Sequence, residues 1–159
     1  MCHFLRVWLP DIEISYTIIE SAGIVNAYKA FEFQSQISWR TDFPKSNFDI
    51  ALTSCTLQYL DNPEESLKSL MQLANNLIIL RFPKIEGSNP KFAVQVLPMD
   101  GNRGTISIPV RFFGNGFLDS VILKEFQRVF EFYHYDETQA LDNEWITLRG
   151  YLYRKSSNL

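Results

Sequence analysis

At 159 residues with 46% apolar content, the chain is long enough to bury a substantial core, and residues 1–159 are expected to form a single domain. A net charge of −3 with no basic cluster argues against nucleic acid or an anionic membrane surface as the main partner. Cys2 and Cys55 supply neither a disulfide framework nor a metal-ligand spacing, no apolar run reaches membrane-spanning length, and the first residues are not a signal peptide, so a reducing cytoplasmic setting is expected.

In chain order, residues 4–9 fit the end of a helix or a short strand equally well, and Pro10 ends them. Residues 12–19 alternate as a strand, Ser21 can cap the helix expected over 23–33, and 37–39 form a short strand before a polar turn at 42–47. The stretch 48–60 organises the rest. Phe48, Ile50, Ala51 and Leu52 read as a buried strand, and Thr53, Ser54 and Cys55 then turn small and polar. In parallel α/β sheets ligands bind just beyond the carboxyl ends of strands, so that small segment is expected to border a crevice. Asp61 or Asn62 can cap the next helix, Pro63 suits its first position, and Glu64 and Glu65 favour the positive end of its dipole. Leu67, Leu70, Met71, Ala74 and Leu77 share one helical face, Asn75-Asn76 stops the helix, and 77–82 is a second apolar strand closed by Pro83. Strand and helix alternate through residue 82, as in a parallel sheet with right-handed crossovers.

The second half changes character. Residues 86–116 hold most of the glycines and several prolines and read as a long excursion, with strand-like patches at 92–97 and 105–113. A short helix is expected over 117–126. Two strands, 127–135 and 145–154, flank a polar connection at 136–144, and such a pair often closes a sheet in antiparallel fashion. Phe126, Phe130, Phe132, Tyr133 and Tyr135 are expected in the core. His3 and His134 read as surface or strand residues.

Tyr16-Thr17-Ile18-Ile19-Glu20, then Phe48-Asp49-Ile50-Ala51-Leu52, Leu57-Gln58-Tyr59-Leu60 ahead of the Pro63 helix, and Leu77 to Arg81 together resemble a class I S-adenosylmethionine-dependent methyltransferase. More narrowly, Leu57-Gln58-Tyr59-Leu60-Asp61-Asn62-Pro63 and Ile108-Pro109-Val110-Arg111-Phe112-Phe113 are similar to a bacterial family of small-molecule methyltransferases of unassigned substrate. The resemblance implies a Rossmann-like, mostly parallel sheet with flanking helices and a C-terminal antiparallel strand pair. It also implies methyl transfer from S-adenosylmethionine to a small acceptor such as a sugar or metabolite hydroxyl or amine.

By the same resemblance, Glu20 accepts hydrogen bonds from the cofactor's ribose hydroxyls, and Asp42, among Trp39, Arg40 and Thr41, reads the adenine edge. Thr53, Ser54 and Cys55 lie beneath the methionyl part, and Gln58 and Tyr59 face the methyl acceptor. Structural roles stand beside each of these: a strand end or cap for Glu20, a turn residue for Asp42, and packing in a first helical turn for Gln58 and Tyr59. Positioning can supply most of the rate of a methyl transfer, so no general base is assigned, and no metal is called for. The residues specify no oligomeric state.

Such enzymes carry a first strand and a glycine-rich turn ahead of the strand ending at Glu20, whereas the first glycine here is Gly23. The chain is therefore expected to be an amino-terminally truncated form lacking the usual first strand, with a non-catalytic remnant or binding module as the second reading. Direct pairing of residues 14–19 with 50–53 is the expected repair, ahead of insertion of 4–9 or pairing with another chain. That closure would squeeze the crevice and weaken cofactor binding.

Overall fold

The structure, a computed structural model, describes residues 11–29, 37–99, 104–141 and 144–156. It divides into two compact units, residues 1–45 and 46–159.

In the first unit β1 (Tyr16–Ile19) and β2 (Ile37–Arg40) pair in parallel, with α1 (Ala22–Lys29) between them in sequence. The ladder runs from Tyr16 opposite Ile37 to Ile19 opposite Arg40, so among the described residues the expected strand over 12–19 is a strand only from Tyr16. Val25 of α1 is buried, and Tyr28 stacks on Trp39 with ring centroids 4.5 Å apart. The expected helix beyond Lys29 and the run 4–9 lie outside the described residues.

The second unit is built on a four-stranded sheet, β3 (Phe48–Ser54), β4 (Ala74–Lys84), β8 (Glu144–Lys155) and β7 (Phe126–Leu141), in that spatial order. β3 and β4 are parallel, and β8 and β7 follow antiparallel, which is the closing pair expected from the sequence. The expected pairing of 14–19 with 50–53 is not among the ladders of the described residues, where β1 pairs β2 and β3 pairs β4.

Between β3 and β4 runs α2 (Pro63–Leu73), with Pro63 in its first turn and Lys68 bridging Glu64 and Glu65 at 2.9 and 3.1 Å. Asn62 occupies the cap position but makes no side-chain cap bond. Asn75 and Asn76 do not form a separate turn. The chain passes from α2 into β4 at Ala74, whose φ of −149° and ψ of 157° are already extended, and the Asn76 side-chain amide donates to the Asp49 carbonyl at 3.0 Å.

Nor does Pro83 close the strand. The register shifts between Ile79 and Phe82, Arg81 takes a φ of 52°, and the ladder resumes with Phe82 opposite Arg149 and continues through Pro83 opposite Leu148. Proline lacks the amide a regular ladder would use, and a bulge is where a sheet tolerates it.

Leu67 and Met71 of α2, Leu77, Ile79 and Phe82 of β4, Ile122 of α3 (Phe117–Ile122), and Tyr151 and Tyr153 of β8 form the core. β3 is buried on one face only. Ala51 and Thr53 are enclosed, but Ile50 is 54% exposed and Leu52 is exposed as well, so the strand is not the fully buried one its apolar run suggests. Of the expected aromatic core, Phe126 is buried, Phe130 and Tyr133 are exposed, and the side chain of Tyr135 lies outside the described residues. The half-buried Phe132 ring covers Gly150, leaving no room there for a Cβ.

The excursion after β4 is an ordered antiparallel hairpin, β5 (Lys91–Pro98) with β6 (Thr105–Phe112). Its base has a small core of its own, Val110 and Phe112 against Ile85 and Ile146. The two ends are stapled together. Ile85 donates to the Phe113 carbonyl and Phe113 to the Pro83 carbonyl, both at 3.0 Å, and Asn115 donates to the Gly87 carbonyl at 2.8 Å. Gly114 is required by this approach, because a Cβ there would lie 2.1 Å from the Ser88 carbonyl oxygen.

Among the described residues no helix is long and apolar enough to cross a membrane.

Candidate functional site

The last paired residues of β3 and the facing stretch of β4 are Ser54 and Leu80. Immediately beyond, both chains enter the left-handed region, Cys55 at φ 54° and Arg81 at φ 52°. For non-glycine residues this costs on the order of 1 kcal/mol or more each, and it persists only where the surroundings impose it. Here they do. The Cys55 amide donates to the Leu80 carbonyl at 3.1 Å, the Thr56 hydroxyl donates to the Ser54 carbonyl at 2.9 Å, and Leu57 is anchored in the core.

A 3-10 turn, Leu57–Tyr59, follows. Gln58 is only 6% exposed, and its amide donates to Cys55 Sγ at 3.0 Å, so it braces the turn from inside. Tyr59 is exposed, and its hydroxyl donates to Gln95 Oε1 of β5 at 2.9 Å. Arg111 of β6 donates to the Asp61 carbonyl at 3.3 Å and holds its guanidinium 5.1 Å above the Phe92 ring. The base of the hairpin therefore walls the loop that leaves β3.

Gln95 and Arg111 were not singled out from the sequence as site residues. A signal existed for Gln95: it is the lone polar residue among Phe92, Ala93, Val94, Val96 and Leu97, and it shares a strand face with half-buried Ala93. Its partner Tyr59 stands 36 positions away, a separation no local pattern bridges.

Glu20 and Asp42 belong to the first unit, at the carboxyl ends of its two parallel strands. The Glu20 amide donates to the Arg40 carbonyl at 2.9 Å, extending the ladder by one bond. One Glu20 carboxylate oxygen accepts from the Ser21 amide at 3.3 Å, and the other has no hydrogen-bond partner among the described residues. Asp42 pairs with Arg40 at 3.0 Å, and that hydrogen bond and positive charge hold its carboxyl below the usual carboxylate range. Thr53, Ser54, Gln58 and Tyr59 are thus brought together at the end of β3, and Glu20 and Asp42 at the end of β1 and β2.

A separate small cleft between α3 and β8, lined by Phe82, Asp119, Arg128, Tyr151 and Tyr153, uses none of these residues. Arg128 is engaged there by Glu131 at 3.2 Å. Among the described residues no three His, Cys, Asp or Glu side chains converge as a metal site.

No protein-family model matches the chain. No curated protein matches it in sequence. Solved structures do. The glycopeptide N-methyltransferase MtfA, complexed with S-adenosylmethionine, superposes over 97% of this chain and 75% of its own at a TM-score of 0.60 and 8% identity. The N-terminal domain of EvdMO1 with SAH bound covers 88% of this chain and 63% of its own at 0.52 and 15% identity. The fold is that of class I S-adenosylmethionine-dependent methyltransferases. LepI, in complex with SAM, shares it over 98% of this chain at a TM-score of 0.56 and 11% identity. The methyltransferase-like chain here spans less than two thirds of the EvdMO1 domain, at 63%, and 40% of LepI.

Proposed function

We propose that this protein transfers a methyl group from S-adenosylmethionine to a small-molecule acceptor. The observation that carries this reading is the likeness, over 97% of the chain, to an N-methyltransferase complexed with that cofactor. When bound, the cofactor supplies an electrophilic methyl group on a sulfonium.

The residues present suit that group. Glu20 has an exposed carboxylate with a free oxygen, able to accept from the ribose hydroxyls. Asp42 is kept ionised by Arg40 and can accept from the adenine amine. Thr53 and Ser54, with the strained Cys55 turn behind them, would border the methionyl part. On the acceptor side, Tyr59 commits its proton to Gln95, which leaves the phenol oxygen to receive an acceptor O–H or N–H and orient the nucleophilic lone pair. Gln58 contributes from inside by fixing the turn. A bound cofactor would offer its methyl group to the acceptor lone pair that Tyr59 orients, and water would take the acceptor proton.

Titration calorimetry with S-adenosylhomocysteine tests this directly. Saturable binding is expected, and Glu20→Ala should weaken it by about 2 to 3 kcal/mol through loss of charge-assisted hydrogen bonds. Unchanged affinity would remove Glu20 from the site. No binding at millimolar ligand would point to a module that keeps the fold without the cofactor.

A further inference from the structure

The β5–β6 hairpin is anchored at its base and apolar where it projects. Phe92, Val94 and Val96 share one strand face and are 66%, 63% and 57% exposed. Nearer the tip, Leu97 and Ile106 face each other across the ladder on the opposite face, and they too are exposed. No residue in 92–99 or 104–110 is charged. An apolar surface of a few hundred Å² or more on a single chain marks an interaction site rather than ordinary surface.

The edge of the hairpin points the same way. Among the described residues β5 pairs with β6 alone, so between Phe92 and Leu97 its other edge presents backbone donors and acceptors with no ladder partner. Residues 92–97 contain no proline to interrupt that row, whereas Pro109 interrupts the outer edge of β6. Natural edge strands are usually protected by charge, proline or a bulge, and β5 has none of these along 92–97.

We propose that this arm is a homodimer contact, in which β5 pairs antiparallel with β5 of a second copy about a two-fold axis at Val94. The strand is self-complementary in that register. Phe92 meets the partner's Val96, Val94 meets the partner's Val94, and Lys91 falls opposite the partner's Leu97 rather than the partner's Lys91. Each copy carries a net charge of −3, so two copies repel in general, and the uncharged strand edge from Phe92 to Leu97 is where they can approach without opposing like charges. An interface confined to two such arms is smaller than the roughly 1,600 Å² of a standard stable complex, so a reversible dimer is expected.

Sedimentation equilibrium on the chain, on the order of 1 to 100 μM, decides the matter. A monomer–dimer equilibrium is expected. Val94→Lys sets two ammonium groups face to face and should weaken it at least tenfold with an unchanged circular dichroism spectrum. Val94→Cys should cross-link into a dimer under mild oxidation, which keeps the test independent of the lysine variant. A chain that stays monomeric throughout overturns the proposal. So does a dimer indifferent to Val94→Lys but lost with Ile50→Lys on β3, an assembly that grows beyond two, or a monomer that binds phosphatidylglycerol vesicles through the arm instead.

Discussion

The strands β4 and β5 carry similar apolar residues, Leu77-Ile78-Ile79-Leu80 in one and Phe92-Ala93-Val94 with Val96-Leu97 in the other, and their fates are opposite. Leu77 is 0% exposed and Ile79 is enclosed, whereas Phe92 and Val94 stand mostly in solvent. The difference lies in their neighbours. β4 has β3 on one side and β8 on the other, and α2 and α3 contribute to the core it joins. Among the described residues β5 has one ladder partner, and only the base of its hairpin meets a second core. Hydrophobic character makes burial favourable, but what surrounds a strand decides whether burial happens.

Leu77→Ala should produce the largest effect, about 3 to 5 kcal/mol in urea unfolding, from lost burial and a cavity that a sheet interior cannot collapse. A smaller loss, about 2 kcal/mol, is expected for Leu70→Ala, since Leu70 is half-buried against the same cluster. A loss at Leu70 equal to that at Leu77 would mean that the α2 face is more enclosed than described.

The core also has a pH signature that the arm lacks. Burial disfavours the phenolates of Tyr151 and Tyr153 and pushes both phenols well above their ordinary value, aided by the nearby Glu131 carboxylate for Tyr151 and by Tyr151 itself for Tyr153. A folded value raised above the unfolded one gives stability that is fully present below about pH 10 and lost as pH rises through the folded value. Urea midpoints should therefore fall progressively above about pH 10 from this source. Tyr153→Phe should flatten that decline. Because the Tyr153 hydroxyl is buried without a hydrogen-bond partner among the described residues, the same substitution should change neutral-pH stability by less than about 1 kcal/mol. A decline of the same steepness in the variant would assign the alkaline sensitivity elsewhere.

Val94→Ala stands at the small end, within about half a kcal/mol at concentrations where the chain is monomeric, as for ordinary surface substitutions. A loss comparable to that of Leu70→Ala would show that the arm is covered within a single chain.

Much of the sheet was legible in the sequence because its signals were local. Pro63, Glu64 and Glu65 marked the start of α2, the run from Phe48 to Leu52 marked β3, which extends two residues further to Ser54, and the closing antiparallel pair stood out by its spacing. The misreadings have physical causes. The strand-like patches at 92–97 and 105–113 are β5 and β6, but the glycines and prolines between 86 and 116 hid that they pair as one hairpin, and Pro83 suggested a strand end because a bulge at Arg81 is invisible in one dimension. The exposure of Ile50 and Phe130 depends on what packs opposite them, which no residue reports about itself. In the candidate site, the place of Tyr59 just after β3 was legible from its motif, but its bond to Gln95 was not, since a bond across 36 positions is a property of the fold.

The staple at the root of the hairpin has a consequence for how such a chain can change. The polypeptide leaves the sheet at Lys84 and returns at Phe113, and these two residues stand side by side in a parallel bridge held by the Pro83 and Phe113 carbonyls. Everything between them is a cassette plugged into a fixed socket. Its length and side chains can drift, and with them the wall beside Tyr59, while the register of β4 against β3 and β8 stays as it is. A change within the cassette therefore reaches the wall beside Tyr59 before it reaches the frame that closes around Leu77.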